Sequence, residues 1–180
     1  MRYFIAIPLP DDARERLLDA RPVFVDGMRL IERQELHLTL HFLGELTALS
    51  RQTVCSALEE VTMSSFAIAI RGVGTFPPDG PPNVLWSGVE GGSELPVLHH
   101  AVGKALEDAI GFQIERRPYT PHITLARFNG PAPPTFVEEY LSQNRGLNIQ
   151  GIPIRRFALY SSKFVDGVPW YEEEAVFELS

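Results

Sequence analysis

A single cysteine, Cys55, in 180 residues means that no intramolecular disulfide can form. It falls in the helix-like stretch RQTVCSALEEV, where a small packed thiol is expected and no chemistry is assigned. Long apolar runs are missing too. The longest, such as FAIAI at Phe66 to Ile70, have strand length and fall far short of the roughly 20 residues that cross a bilayer, so no membrane span is expected. The opening MRYFIAIPLP is too short in its apolar part for a secretory signal and runs straight into a charged segment. It reads as a first strand, and the chain as cytoplasmic. Positive charge is scarce: 16 Lys and Arg against 23 Asp and Glu leave a net charge of −7. Coating a nucleic-acid backbone requires clustered cations that release counterions, and this balance excludes that class. Any nucleic-acid partner must be recognised locally, where Arg116, Arg117 and Arg127 gather around one stretch and Arg155 and Arg156 follow.

What is present is enough apolar material, 44% of the residues with 10% aromatic, for one packed domain or two lobes sharing a core. Period-2 alternation, β-branched content and Pro/Gly punctuation predict strands over 3–9, 37–43, 66–73, 84–89, 119–126, 152–161 and 171–179. Helical periodicity predicts helices over 11–20, 51–62 behind a Ser50 cap, 94–110 ending at Gly111, and 135–142. GTFPPDGPPN is too rich in Pro and Gly to be other than loop. The plan is α+β with mostly antiparallel strands.

HLTL, His37 to Leu40, and HITL, His122 to Leu125, write nearly the same four residues twice, 85 positions apart. The surrounding order repeats as strand, helix, motif strand, helix. This indicates a diverged duplication, a bilobal fold with a pseudo-two-fold axis and one motif per lobe facing a central groove. Along a strand, His37 and Thr39 point to one face, as do His122 and Thr124, while Leu38, Leu40, Ile123 and Leu125 point into the lobes. Histidine titrates nearest neutrality, so a facing pair can hold one ring as base and the other as acid. That is the equipment for cleaving a phosphodiester without a metal: one ring takes a proton from water, the other protonates the departing oxygen, and the threonines donate to the phosphate. Zinc would be the rival for His37 and His41, four apart, but the stretch alternates like a strand and no Cys or acidic cluster completes a ligand set. By the same alternation His41 shares the parity of His37, which leaves it either lining the groove further along or, as the favoured reading, facing solvent or hydrogen-bonded. His99 and His100 lie in a helical pattern and read as boundary and surface residues.

RYFIAIPLP, ELHLTLHFLGEL, NVLWSGV, RPYTPHITLAR and ALYSSKFVDGVPWYEEEAVFEL, in this order over nearly the whole chain, resemble the two-histidine phosphoesterase superfamily, and within it the RNA 2′,3′-cyclic phosphodiesterases also called 2′-5′ RNA ligases. The resemblance implies residues 1–180 as a single bilobal domain, no metal or other cofactor, no obligate protein partner, and an RNA end bearing a 2′,3′-cyclic phosphate as substrate, opened to a 2′-phosphomonoester. It implies His37 as proton donor, His122 as proton acceptor, and Thr39, Thr124 and Arg127 as phosphate-binding residues. Position 127 falls on the face opposite His122 in a strictly alternating strand, so Arg127 reaches the phosphate only where that strand ends or twists first. Phe4 matches an aromatic that the family often places near the groove, with core packing an equal alternative, and GMRLIERQELH lacks the tryptophan common there. Two other readings fit the same groove: hydrolysis of small cyclic nucleotides such as ADP-ribose 1″,2″-cyclic phosphate, and a non-catalytic module that binds RNA ends.

Overall fold

The computed structural model describes residues 1–165 and 167–180. Strand β1 (Arg2–Pro8) leads into helix α1 (Asp11–Leu18), then short strand β2 (Met28–Leu30), a 3₁₀ turn (Arg33–Glu35), β3 (His37–Glu45) and α2 (Ala48–Glu59). There follow β4 (Phe66–Phe76), β5 (Val84–Glu90), α3 (Glu94–Ile110), β6 (His122–Phe128) and α4 (Pro134–Gln143). The chain ends with β7 (Asn148–Ile154), β8 (Arg156–Val165) and β9 (Val168–Glu178). Every strand pairing is antiparallel, in a four-stranded sheet ordered β3-β1-β8-β9 and a five-stranded sheet ordered β2-β6-β5-β4-β7.

The expected α+β, two-sheet plan is present, with three differences that follow from tertiary contacts. Helix α2 starts three residues early, because Thr47, whose hydroxyl accepts the Ser50 backbone N–H, is the cap rather than Ser50. The single strand expected over 152–161 is two: the chain turns at Arg155, leaving β4 on one sheet for β1 on the other. Two apolar alternations run together there, so no turn residue marks the break. The expected strand over 119–126 begins only at His122, after Pro121, and runs on to Phe128.

The two motif strands hold corresponding places, β3 beside β1 and β6 beside β5. Each sheet also draws on a distant stretch of the chain: β8 lies beside β1, and β2 beside β6. Neither sheet is therefore built from one contiguous segment. Leu38, Leu40, Ile123 and Leu125 are buried, with 4% exposure at most, in one apolar cluster with Ile5, Ile7, Leu85 and the inner faces of the helices. The longest helix, α3, stops at Gly111, whose φ of 65° a side chain would disfavour. Cys55 is half-buried on α2, and burial pushes its thiol pKa up. Among the described residues no helix is long and apolar enough to cross a membrane.

Candidate active site

Both motif strands carry a bulge at the same point. Ala6 pairs with Thr39 but Ile5 with His41, so Leu40 is an extra residue in β3. Trp86 pairs with Thr124 but Leu85 with Ala126, so Leu125 is extra in β6. A bulge shifts the alternation by one residue. In β3 this turns His41 away from the groove: it is buried at 6% exposure, its Nε2–H donates to the His99 carbonyl at 2.8 Å, and its ring stacks on His99 at 4.2 Å. Of the two readings of His41, groove lining is thus corrected and the hydrogen-bonded role is the one present. The same shift in β6 returns Arg127 to the face of His122 and Thr124, which strict alternation denied it. Its position is close enough to both His37 and His122 that its charge lowers the pKa of each. By the same register, the residue in β3 equivalent to Arg127 is Phe42, 69% exposed. At matched positions one motif strand thus carries a cation and the other an aromatic ring.

The two catalytic candidates are held alike. His37 Nδ1–H donates to the Glu35 carbonyl at 2.5 Å, and His122 Nδ1–H donates to the Thr120 carbonyl at 2.7 Å, each two residues upstream. A carbonyl can only accept, so the proton of each neutral ring sits on Nδ1 and its Nε2 carries the lone pair. His37 Nε2 accepts the Thr39 hydroxyl proton at 3.0 Å. Burial pulls the His37 pKa down to about 4, against the opposing Glu35 hydrogen bond and with help from the charges of Arg14, His122 and Arg127. Burial, with Arg127, also lowers His122, while its bond to Thr120 raises it.

Aromatic rings fix both imidazoles. His37 lies 4.9 Å from Phe4 and edge-on to Tyr171 at 5.4 Å. Phe4 is only 4% exposed, so it packs under the His37 ring as a core residue rather than on the groove surface. His122 meets the edge of Phe76 at 4.8 Å and lies 6.1 Å from Trp86. The Trp86 indole rests on Gly74: a Cβ there would stand 2.3 Å from it. Gly74→Ala must displace the indole and is expected to cost about 1–3 kcal/mol, read as a shift of the denaturant midpoint; an unchanged midpoint would show that the ring relocates freely. Thr39 and Thr124 are half-buried on the groove face, Thr39 opposite Ala6 and Thr124 opposite Trp86. Tyr171, Phe42, Phe76, Arg29 and Glu35 were not visible as site residues in the sequence, since each is far from a motif or lies in an unremarkable stretch. Among the described residues no three His, Cys, Asp or Glu gather at metal-binding spacing.

This geometry has counterparts. A model of the 2′-5′ RNA ligase superfamily matches residues 9–163. An RNA 2′,3′-cyclic phosphodiesterase of Archaeoglobus fulgidus is 32% identical over 99% of this chain and 100% of its own length. Among solved structures, a protein of Thermus thermophilus is similar with a TM-score of 0.79 and 27% identity over 99% of this chain and 97% of its own. LigT of E. coli complexed with 3′-AMP gives 0.79 and 26% over 99% and 98%.

Proposed function

The chain belongs to the 2′-5′ RNA ligase superfamily, and from that premise we propose that it hydrolyses the 2′,3′-cyclic phosphate at an RNA end to a 2′-phosphomonoester through His37 and His122. The observation that carries this reading is the matched pair of imidazoles. Each has Nδ1–H committed to a backbone carbonyl, which leaves Nε2 for the reaction. His122 Nε2 accepts the proton of a water attacking phosphorus. The P–O3′ bond breaks, and His37, protonated at Nε2, gives that proton to O3′. The Thr124 hydroxyl, and the Thr39 hydroxyl once protonation of His37 Nε2 releases its proton, donate to the non-bridging oxygens, and the Arg127 guanidinium offsets their charge. The names of the curated relatives, RNA 2′,3′-cyclic phosphodiesterases, support the same substrate. The reverse reaction would join a 2′,3′-cyclic end to a 5′-hydroxyl.

The acid must be protonated, yet before substrate binds His37 is neutral at pH 7, with a pKa of about 4. A bound phosphate anion favours the imidazolium and raises both rings. Two bell-shaped profiles are therefore expected. For kcat/KM, which reports the unliganded protein, both rings are lowered, so both limbs of the bell lie on the acid side of neutrality. For kcat the bell moves to higher pH, with limbs that belong to the coupled pair. Coincident profiles would contradict phosphate-assisted protonation of His37.

The reaction itself is tested by incubating the protein, with EDTA, with an RNA oligonucleotide ending in a 2′,3′-cyclic phosphate, and separating 2′- from 3′-phosphate products. A 2′-phosphate is expected. A 3′-phosphate would reverse the assignment of the leaving oxygen, and no turnover on RNA beside turnover of ADP-ribose 1″,2″-cyclic phosphate would move the substrate to small cyclic nucleotides.

A further inference from the structure

We propose that Glu35 and Arg29 are positioning residues, an ion pair tied across the groove that aims His37 and sets its spacing from Arg127; the proposal rests on the reading of His37 as the proton donor. Residues 31–36 carry the chain from β2, on the edge of one sheet, to β3, on the edge of the other. Arg29 stands directly opposite Arg127 in the β2–β6 pairing, and the next link is firm as well, with Ile31 N–H donating to the Leu125 carbonyl at 3.0 Å. From there Arg29 Nη1 reaches both carboxylate oxygens of Glu35 at 2.9 Å.

Glu35 is 4% exposed and fully engaged. Its Oε2 accepts the Glu32 backbone N–H at 2.9 Å, and its own N–H donates to the Glu32 carbonyl at 2.9 Å, closing the 3₁₀ turn. The one remaining backbone group, its carbonyl, accepts His37 Nδ1–H. The atom that fixes the tautomer and tilt of the catalytic ring therefore belongs to a residue bolted to the opposite wall, beside Arg127. A buried ion pair is weak evidence of added stability, since desolvation offsets most of the attraction. Holding a reacting group to within a fraction of an ångström is a role this connectivity does serve, because a misplacement of about 1 Å can cost about 100-fold in rate.

The pair also balances charge. The groups facing His37 are Arg14 from α1, His122 and Arg127 from β6, Tyr160 from β8 and Tyr171 from β9, with Glu35 on the connecting segment and, paired to it, Arg29 on β2. Removing the Glu35 charge leaves Arg29 as an uncompensated cation on the same side as Arg127, which disfavours the imidazolium.

Kinetics of Glu35→Gln, Arg29→Lys and the double variant Arg29→Gln/Glu35→Gln on the cyclic-phosphate RNA test this, beside an NMR titration of the His37 ring without RNA. In Glu35→Gln, kcat is expected to fall about 10- to 100-fold with KM within about threefold, as suits a misaimed acid, and the His37 titration to move to lower pH. In the double variant, which restores neutrality, the titration returns toward the wild-type position while kcat stays low. Arg29→Lys keeps the charge with altered geometry, is the gentler probe of folding, and should lower kcat with an unmoved titration. The proposal is overturned by Glu35→Gln with unchanged kcat and titration, by loss of activity that tracks only a lowered melting temperature with the titration unmoved, or, should Glu35→Gln not fold, by Arg29→Lys at wild-type kcat. Full activity of His37→Ala would instead remove the underlying assignment, so the two failures are distinguishable.

Discussion

His37→Ala and His122→Ala are each expected to lower kcat by about 10²–10⁴-fold, the range of a positioned acid or base, while the protein stays folded. Both rings are partly exposed on the groove face, whereas their strand neighbours Leu38 and Ile123 are fully buried, so truncation opens no cavity in the core. The double variant should lose little more than the worse single one, because acid and base act on one transition state and their effects do not multiply. Rates of cyclic-phosphate opening, read beside circular dichroism melts, check this. A single variant within threefold of wild type would remove that histidine from the mechanism.

Arg127→Gln is expected to lower kcat by about 10²–10³-fold, the usual scale for a lost transition-state donor. Its second effect has the opposite direction on the histidines. The Arg127 charge lowers both His37 and His122, so its removal should raise both pKa values and carry the kcat/KM profile toward neutral pH. Arg127→Lys should keep the profile and lose only part of the rate, since the ammonium lacks the planar fork that pairs with two phosphate oxygens. An Arg127→Gln variant with a wild-type rate and profile would place the guanidinium outside the site.

The two motifs and the sides on which their histidines and threonines lie were legible because a strand enforces a period of two over three residues whatever surrounds it. The length of α3 was legible for a similar reason: its apolar stripe and Gly111 are local signals. The same rule carried two residues further put His41 on the groove face, and carried three further put Arg127 on the opposite one, both against the structure. The bulges responsible leave no local mark. They are held from a distance, by the Tyr119 hydroxyl donating to the Thr39 carbonyl at 2.8 Å and by Ile31 N–H donating to the Leu125 carbonyl at 3.0 Å, with partners about 80 and 90 positions away. Phe4 shows a related limit. An aromatic near the groove was expected from the resemblance, but only packing against His37, Tyr160 and Tyr171 makes it a buried support.

By itself, then, the sequence determined the duplicated His-x-Thr motifs, the shared face of each histidine and threonine, and the α+β plan, because composition and short-range periodicity act on neighbours along the chain. Only the tertiary structure decided that β8 joins β1 and β2 joins β6, that Arg127 shares the face of His122 while His41 turns to α3, and that Arg29 reaches Glu35 behind the His37 ring. Each of these depends on a hydrogen bond or strand pairing that needs a partner from another element, and such partners meet only once both sheets have formed.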